Sequence, residues 1–358
     1  MPSSPETLTE AKRLRSHFAA MGAQVVKADI LQPADTLLDL YGEDIRNRAY
    51  VTADPLQGEM MLRPDFTVPV VQMHMISRAD PARYTYSGKV FRKQEYATDR
   101  PSEYVQVGFE VFDGSNPAQA DAEVFAAIAA ALGDVAVKPA TGDIGLLIAA
   151  VHGLCTSSAR KTALLRHLWR PRRFRALLDR FGGRTAVPAR RAALLAADDP
   201  FADAGPDVGL RSRDEVQARI DALRADAAEP AISSEEIALI DAIVNLRETA
   251  PHVLAALRDI AVDMPAILPA VAQMEARLDA MADLGINVDR LGFEGNFGRT
   301  TLEYYDGFVF GFSAVDRPEL PAISTGGRYD ALTRQLGQGR AVPAVGGVIR
   351  PDLLVELR

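Results

Sequence analysis

YTYSGKVFRKQEYATDRPSEYVQVGFEVFDG, residues 84–114, is the stretch whose reading decides the fold. Two runs rich in β-branched and aromatic residues flank a polar segment holding Asp99, Arg100 and Pro101, which reads as two antiparallel strands joined by a long loop. From Tyr104 to Phe112 the second strand alternates. Val105, Val107, Phe109 and Val111 share one face, while Tyr104, Gln106, Gly108, Glu110 and Phe112 share the other. The first set packs against a core. In the second, Gln106 and Glu110 stand about 13 Å apart at the usual strand rise, and Gly108 between them leaves bare floor for a small molecule. Alternation alone is met equally by a one-sided sheet with solvated polar residues.

Outward from that hairpin, 358 residues allow two or three domains, or one large domain with an insertion. A hydrophobic fraction of 48% and a charged fraction of 25% describe a folded, soluble chain. The net charge of −8 argues against nucleic-acid binding through a broad basic surface. Cys155 is the single cysteine, so neither an intramolecular disulfide nor a thiolate metal cluster can form, which suits a reducing cytoplasm. Histidines at 17, 74, 152, 167 and 252 show no zinc-type spacing, and no metal is expected. The opening MPSSPETLTEAKR has no apolar signal-peptide core, and apolar runs such as 144–151 are too short to cross a bilayer.

Thr7 and Glu10 have capping-box spacing ahead of Leu14, Phe18 and Met21, so a first amphipathic helix is expected to end at Gly22, with a strand over 23–30. Residues 58–77 run from strand into helix, with Asp65 and Thr67 at the junction and Pro69 in the first turn. Short polar side chains there cap more often than they bind ligands. An Ala-rich helix over 119–132, a strand over 135–138 and a helix over 143–154 follow. Between Arg160 and Arg191 there are eleven Arg or Lys residues and one acid, Asp179, and residues 155–230 read as a helical insertion. Its charges either meet an anionic partner or pair with the acids after Asp198 and face water. Ser233 with Glu236 caps another helix, a further helix spans 265–284, and strand-like sequence returns at 290–314. There Tyr304 alternates with Tyr305, so either faces a pocket or packs in the core. Glycine-bearing turns and strands at 324–332 and 343–354 close the sequence, with no P-loop or dinucleotide fingerprint.

Five ordered segments resemble the catalytic core of class II aminoacyl-tRNA synthetases, specifically histidyl-tRNA synthetase. LRPDFT at 62–67 resembles the LRPEGT segment that holds the amino group of histidine; GKVFRKQ at 88–94 and YVQVGFEVFDG at 104–114 resemble motif 2. LEYYDGFVF at 302–310 resembles the LDYY segment, and GGRYDAL with PAVGG resembles motif 3 and its preceding strand. The resemblance implies an α+β fold, a class II antiparallel sheet flanked by helices with a helical insertion. It implies a core over 1–154 and 231–358, an insertion over 155–230 and, in a sequence ending soon after motif 3, no anticodon-binding domain. Carried over residue by residue, Asp65 and Thr67 match amino-group contacts, Gln106 the carboxylate side, Glu110 the imidazole end and Tyr305 a pocket wall. Arg92 matches the motif 2 arginine that touches the carboxylate and the ATP α-phosphate; Tyr304, Arg328 and Tyr329 are further pocket candidates.

The departures point elsewhere than adenylation. Thr300 and Thr301 stand where the synthetase has the Arg-Gly ahead of LDYY, with Arg299 displaced by one, and Leu353 stands at the motif 3 arginine, with Arg350 three residues earlier. Ser102 and Glu103 replace basic loop residues, and Gly311 replaces a Glu. Activating a carboxylate with ATP needs cations around the triphosphate. A histidine pocket kept without them is similar to the regulatory subunit family of ATP phosphoribosyltransferase, a catalytically silent synthetase paralogue. That resemblance implies homodimers within a hetero-octamer of four regulatory and four short-form catalytic chains. It also implies a part in the first step of histidine biosynthesis, histidine as feedback effector, and no cofactor, tRNA or membrane. The alternatives are a minimal adenylating synthetase and a tRNA-binding pseudo-synthetase, the latter favoured only by the basic stretch 160–191.

Overall fold

Phe18 and Phe109 stack face to face with ring centroids 5.1 Å apart, and around that pair the first helix meets the second strand of the hairpin. The computed structural model describes residues 4–41, 45–94, 101–202, 204–206, 208–299 and 304–358; Asp99, Arg100, Thr300, Thr301, Leu302 and Glu303 lie outside them. The helix Pro5–Ala20 is capped by Ser4, whose hydroxyl accepts the Thr7 backbone N–H. Thr7 is therefore not the cap. It lies within the helix with Glu10, which is tied to Arg13 and Arg358.

The strands are β1 (Gln24–Val25), β2 (Leu31–Pro33), β3 (Val51–Asp54), β4 (Gly58–Leu62), β5 (Ala82–Phe91), β6 (Glu103–Phe112), β7 (Val137–Asp143), β8 (Arg247–Thr249), β9 (Gly292–Glu294), β10 (Phe308–Ala314), β11 (Ser324–Arg328) and β12 (Ala344–Ile349). Nine of them form one sheet in the order β1, β5, β6, β12, β11, β10, β7, β9, β8, and β2, β4, β3 form a second. From β5 to β7 every pairing is antiparallel, while β1 and β9 join in parallel. Only two residues of 23–30 pair, so the strand expected there is shorter.

Val105, Val107, Phe109 and Val111 pack in one core with apolar residues of the helices Pro5–Ala20, Pro117–Leu132 and Leu268–Asp283. Each such side chain contributes about 1.5–3 kcal/mol by leaving water. The opposite face is also covered: Tyr84, Tyr86, Tyr104, Phe112, Tyr304, Tyr305 and Tyr329 form a second cluster. Gln106 and Glu110 are 3% and 1% exposed, which rules out the solvated-face alternative.

Three local expectations change. The strand expected over 135–138 begins at Val137 and runs to Asp143 because its whole length pairs with β10. Asp143 then caps the helix Ile144–Gly153 through the Gly145 N–H. Tyr304 and Tyr305 precede β10 instead of alternating along it, so both are buried. Gly326 and Gly327 sit inside β11, where Phe310 and Tyr305 lie over them, not in a turn. Within 155–230 the described elements are helices, Ser158–Arg166, Pro171–Phe181, Ala189–Ala196 and Arg213–Ala228, and Leu164, Phe174 and Leu178 belong to the main core. Part of the basic stretch pairs internally: Asp226 accepts from Arg160 at 2.7 Å and from Arg180 at 2.9 Å.

Candidate functional site

Glu110 lies on the tyrosine-covered face of β6, and three hydroxyls converge on it. Tyr86 donates to Oε1 at 2.7 Å and Thr67 to the same oxygen at 3.0 Å, while Tyr329 donates to Oε2 at 2.6 Å. Burial pushes the Glu110 carboxyl up to about 7, and these hydrogen bonds pull the other way. An ionised carboxylate has about four acceptor positions, so three donors leave one for a ligand N–H. Gly346 stands opposite Glu110 in the ladder, and an added Cβ would lie 1.4 Å from Oε2, so a glycine there is what admits the carboxylate.

The bare floor expected at Gly108 is not bare. Tyr86, its ladder partner, folds over it so closely that a Cβ would meet the ring at 2.1 Å. Phe66 stacks on Tyr86 with centroids 4.3 Å apart, and Arg63 lies 3.9 Å above Phe66. Tyr86, Phe66 and Arg63 are site-forming residues that sequence reasoning missed. No sequence signal gave the pairing of Tyr86 with Gly108, because the register of a hairpin with so long a loop is set only by the folded sheet.

Asp65 is 3% exposed at the start of the helix Thr67–Ser77. Phe66, not Asp65, is the N-cap; Asp65 Oδ1 accepts the Val68 N–H at 3.4 Å from one residue further out, and Oδ2 has no partner. Burial raises its carboxyl and the Arg92 charge lowers it. Gln106 Oε1 is likewise buried without a partner. Gln106 faces Gly88 across the ladder, and Gly88 is roofed by Arg63 and Phe66, the chain neighbours of Asp65. Two orphaned acceptors, each costing about 1–3 kcal/mol if left unpaired, flank the same segment, and each lacks a donor.

Burial raises Tyr305, and the Glu110 charge raises it further. Tyr304 stands against Tyr305 at 4.8 Å and against Tyr329 at 6.0 Å. Arg92 donates through Nε to the Pro64 carbonyl, and its guanidinium is 5.9 Å from the Tyr104 ring. Arg328, expected near this pocket, is not brought there. It donates to Asp121 at 2.7 and 3.0 Å and to Asp330 at 3.0 Å, because successive β-residues face opposite sides and its neighbour Tyr329 takes the pocket side.

Leu353 is in the apolar core, so no cation stands at the motif 3 position. Arg350 lies 4.3 Å from the Tyr104 ring and is paired with Asp352 at 2.7 Å. Arg299 donates to the Leu168 carbonyl at 2.8 Å. Gly311 has its open side filled by the Phe297 ring, 3.1 Å from where a Cβ would be. Among the described residues no group of three or more His, Cys, Asp or Glu is placed to hold a metal ion, and no helix is long and apolar enough to cross a membrane.

A histidyl-tRNA synthetase family model matches residues 3–224 and 211–354. The ATP phosphoribosyltransferase regulatory subunit of Brucella ovis is 30% identical over 364 aligned positions, covering 96% of each chain, and that of Brucella abortus strain 2308 is 30% identical over 96% of this chain and 95% of its own. Among solved structures, an ATP phosphoribosyltransferase regulatory subunit/histidyl-tRNA synthetase from Bacillus halodurans superposes with a TM-score of 0.68 at 20% identity, covering all of this chain (100%) and 83% of that one. The histidyl-tRNA synthetase of Nostoc superposes with a TM-score of 0.65 at 17% identity over 98% of this chain and 71% of its own; at such identities the likeness speaks for the fold alone. With relatives of that identity and coverage and a synthetase model matched nearly end to end, the chain belongs to the histidyl-tRNA synthetase-like family of ATP phosphoribosyltransferase regulatory subunits.

Proposed function

We propose that this protein is the non-catalytic regulatory subunit of an ATP phosphoribosyltransferase, required by a short catalytic chain in the first step of histidine biosynthesis, and that L-histidine binds on the tyrosine-covered face of its sheet as feedback effector. The observation that carries the ligand assignment is the pair of buried, unpartnered acceptors, Asp65 Oδ2 and Gln106 Oε1, beside a Glu110 held by three hydroxyls. Asp65 and Thr67 would take the ammonium end, Gln106 and Arg92 the carboxylate side, and Glu110 a ring N–H. Tyr305, Tyr304 and Tyr329 would wall the ring, and residues 155–230 would form a helical insertion. Homodimers of this chain would assemble with short catalytic chains in a hetero-octamer.

Histidine acts as an effector only through unequal affinity for two states of the complex. Calorimetry with L-histidine on the purified chain and on its complex is expected to give one site per chain, lost in Asp65→Ala. Absence of heat in both overturns the ligand assignment. Phosphoribosyl transfer from phosphoribosyl pyrophosphate to ATP by a short catalytic chain is expected only when this protein is added. Histidine- and ATP-dependent pyrophosphate exchange is expected to be absent, since the motif 3 position is an apolar core residue and Arg350 is neutralised by Asp352; measurable exchange would favour an adenylating enzyme instead.

A further inference from the structure

The helix Asp330–Leu336 starts without a cap of its own. Its capping position is Tyr329, which makes no side-chain cap bond and gives its hydroxyl to Glu110 instead. Asp330, next along, commits its Oδ1 to Arg328 and to the Ala344 N–H. The first amides of a helix need acceptors from elsewhere, and here they find one 24 residues back in the chain. Asp306 Oδ1 accepts the Asp330 N–H at 2.9 Å, and its Oδ2 accepts the Ala331 N–H at 2.6 Å.

Capping alone is a poor account of this arrangement. A Ser, Asn or Asp at the capping position would satisfy such amides locally, without a carboxyl placed where burial and the Asp330 charge raise it to about 6. Tyr329 closes that position to them, and the cap falls to the residue that directly follows Tyr305. Asp306 also holds the end of β11 through its backbone, its N–H donating to the Arg328 carbonyl at 3.0 Å. Gly307 beside it is so near that an added Cβ would stand 3.0 Å from the Arg328 side chain. Tyr305 lies over Gly327, and Tyr304 stands 6.0 Å from Tyr329. The charges around the carboxylate are those of Asp330 and of Arg328, which Asp121 holds from its other side. The two backbone segments that carry the three tyrosines thus meet at one residue.

We propose that Asp306 is a positioning residue that sets the spacing of the tyrosine wall, holding Tyr304 and Tyr305 against Tyr329 at the separation from which Tyr329 reaches Glu110. Its carboxylate fixes where the chain turns after Tyr329, and its backbone fixes where Tyr305 enters. The consequence for a ligand rests on the histidine-pocket reading; the consequence for Glu110 does not.

Calorimetry with L-histidine on wild type, Asp306→Asn and Asp306→Ala tests the first. Asp306→Asn keeps one acceptor for the two amides and should lower affinity about threefold, while Asp306→Ala keeps none and should lower it about tenfold or more. Gly347→Ala, which overpacks the opposite face, is the stability control and should leave affinity unchanged. The spacing itself is read without ligand. The Tyr329 hydrogen bond lowers the Glu110 carboxyl, so a displaced Tyr329 raises its titration midpoint, followed as the infrared carboxyl band that is absent from the matching Glu110→Gln protein. Both Asp306 variants remove the same charge, so the midpoint in Asp306→Ala should stand above that in Asp306→Asn. Equal midpoints, or wild-type affinity in Asp306→Ala, overturn the proposal. If wild type gives no binding heat, the pocket reading has failed, and the midpoints alone decide. Should Asp306→Ala not fold, Asp306→Asn is set against wild type. Loss of the charge lowers the Glu110 midpoint and loss of the spacing raises it, so a raised midpoint upholds the proposal and an unraised one overturns it.

Discussion

Two pulls act on the Glu110 carboxyl: burial favours its neutral form, and three hydroxyl donors favour its charged form. Burial prevails, moving it from 4.5 to about 7. The folded state thus holds the proton more tightly than the unfolded chain. The resulting stabilisation is complete below about pH 4.5 and is lost as pH rises through 7, on the order of 3 kcal/mol over that interval. Asp306 moves in the same direction, to about 6, through burial and the Asp330 charge, and burial also raises Asp65 and Asp121, so wild type alone mixes several groups. The difference between wild type and Glu110→Gln isolates one. Urea unfolding from pH 5 to 8 should show Glu110→Gln gaining on wild type as pH rises, and a flat difference would count against the burial account. Glu110→Gln should also weaken histidine binding by about tenfold or more, because a charge-assisted acceptor is worth about 1.5–3 kcal/mol.

In the strands, the alternation of 104–112 was readable and correct, since a period of two admits only two faces. What it did not reveal was which face carries a lid: Tyr86 comes from the neighbouring strand, and its position over Gly108 depends on register. Adjacent glycines of β12 separate site from scaffold. A Cβ at Gly346 would strike Glu110, whereas one at Gly347 would meet Phe310 at 3.0 Å and Ile128 at 3.3 Å on the opposite face. Both Gly346→Ala and Gly347→Ala should lower stability by about 1–3 kcal/mol through overpacking. Only Gly346→Ala should cost histidine affinity, by tenfold or more in calorimetry. Equal losses of affinity would mean that the two faces are not independent.

Across the whole molecule, a buried ion network ties two helices to the sheet on the side away from the tyrosines. Asp121, on the helix Pro117–Leu132, accepts from Arg328 of β11 and from Arg277 of the helix Leu268–Asp283, and Arg277 also binds Asp143 at 2.7 Å. Removing Asp121 leaves Arg277 with Asp143 and Arg328 with Asp330 as their remaining counter-charges, at a cost of about 3 kcal/mol, the low end for a broken buried ion pair. Asp121→Asn should therefore lower the denaturant midpoint substantially, and a loss under about 1 kcal/mol would show that the network relaxes by hydration instead. Arg328 illustrates why sequence reasoning stopped short here. Beside Tyr329 in a glycine-rich segment it reads as a pocket residue, and only the position of Asp121, 207 residues away in sequence, settles its direction.

By itself the sequence determined the strand periodicity, the order of the five synthetase-like segments and the identities of the acids and tyrosines. These are local properties, carried by side-chain spacing and residue type. Only the tertiary structure decided that Tyr86 covers Gly108, that Arg299 is buried toward Leu168, and that Arg328 turns to the far side of the sheet. Each depends on contact between residues distant in the chain, and burial, which sets their charge and partners, exists only once the layers have met.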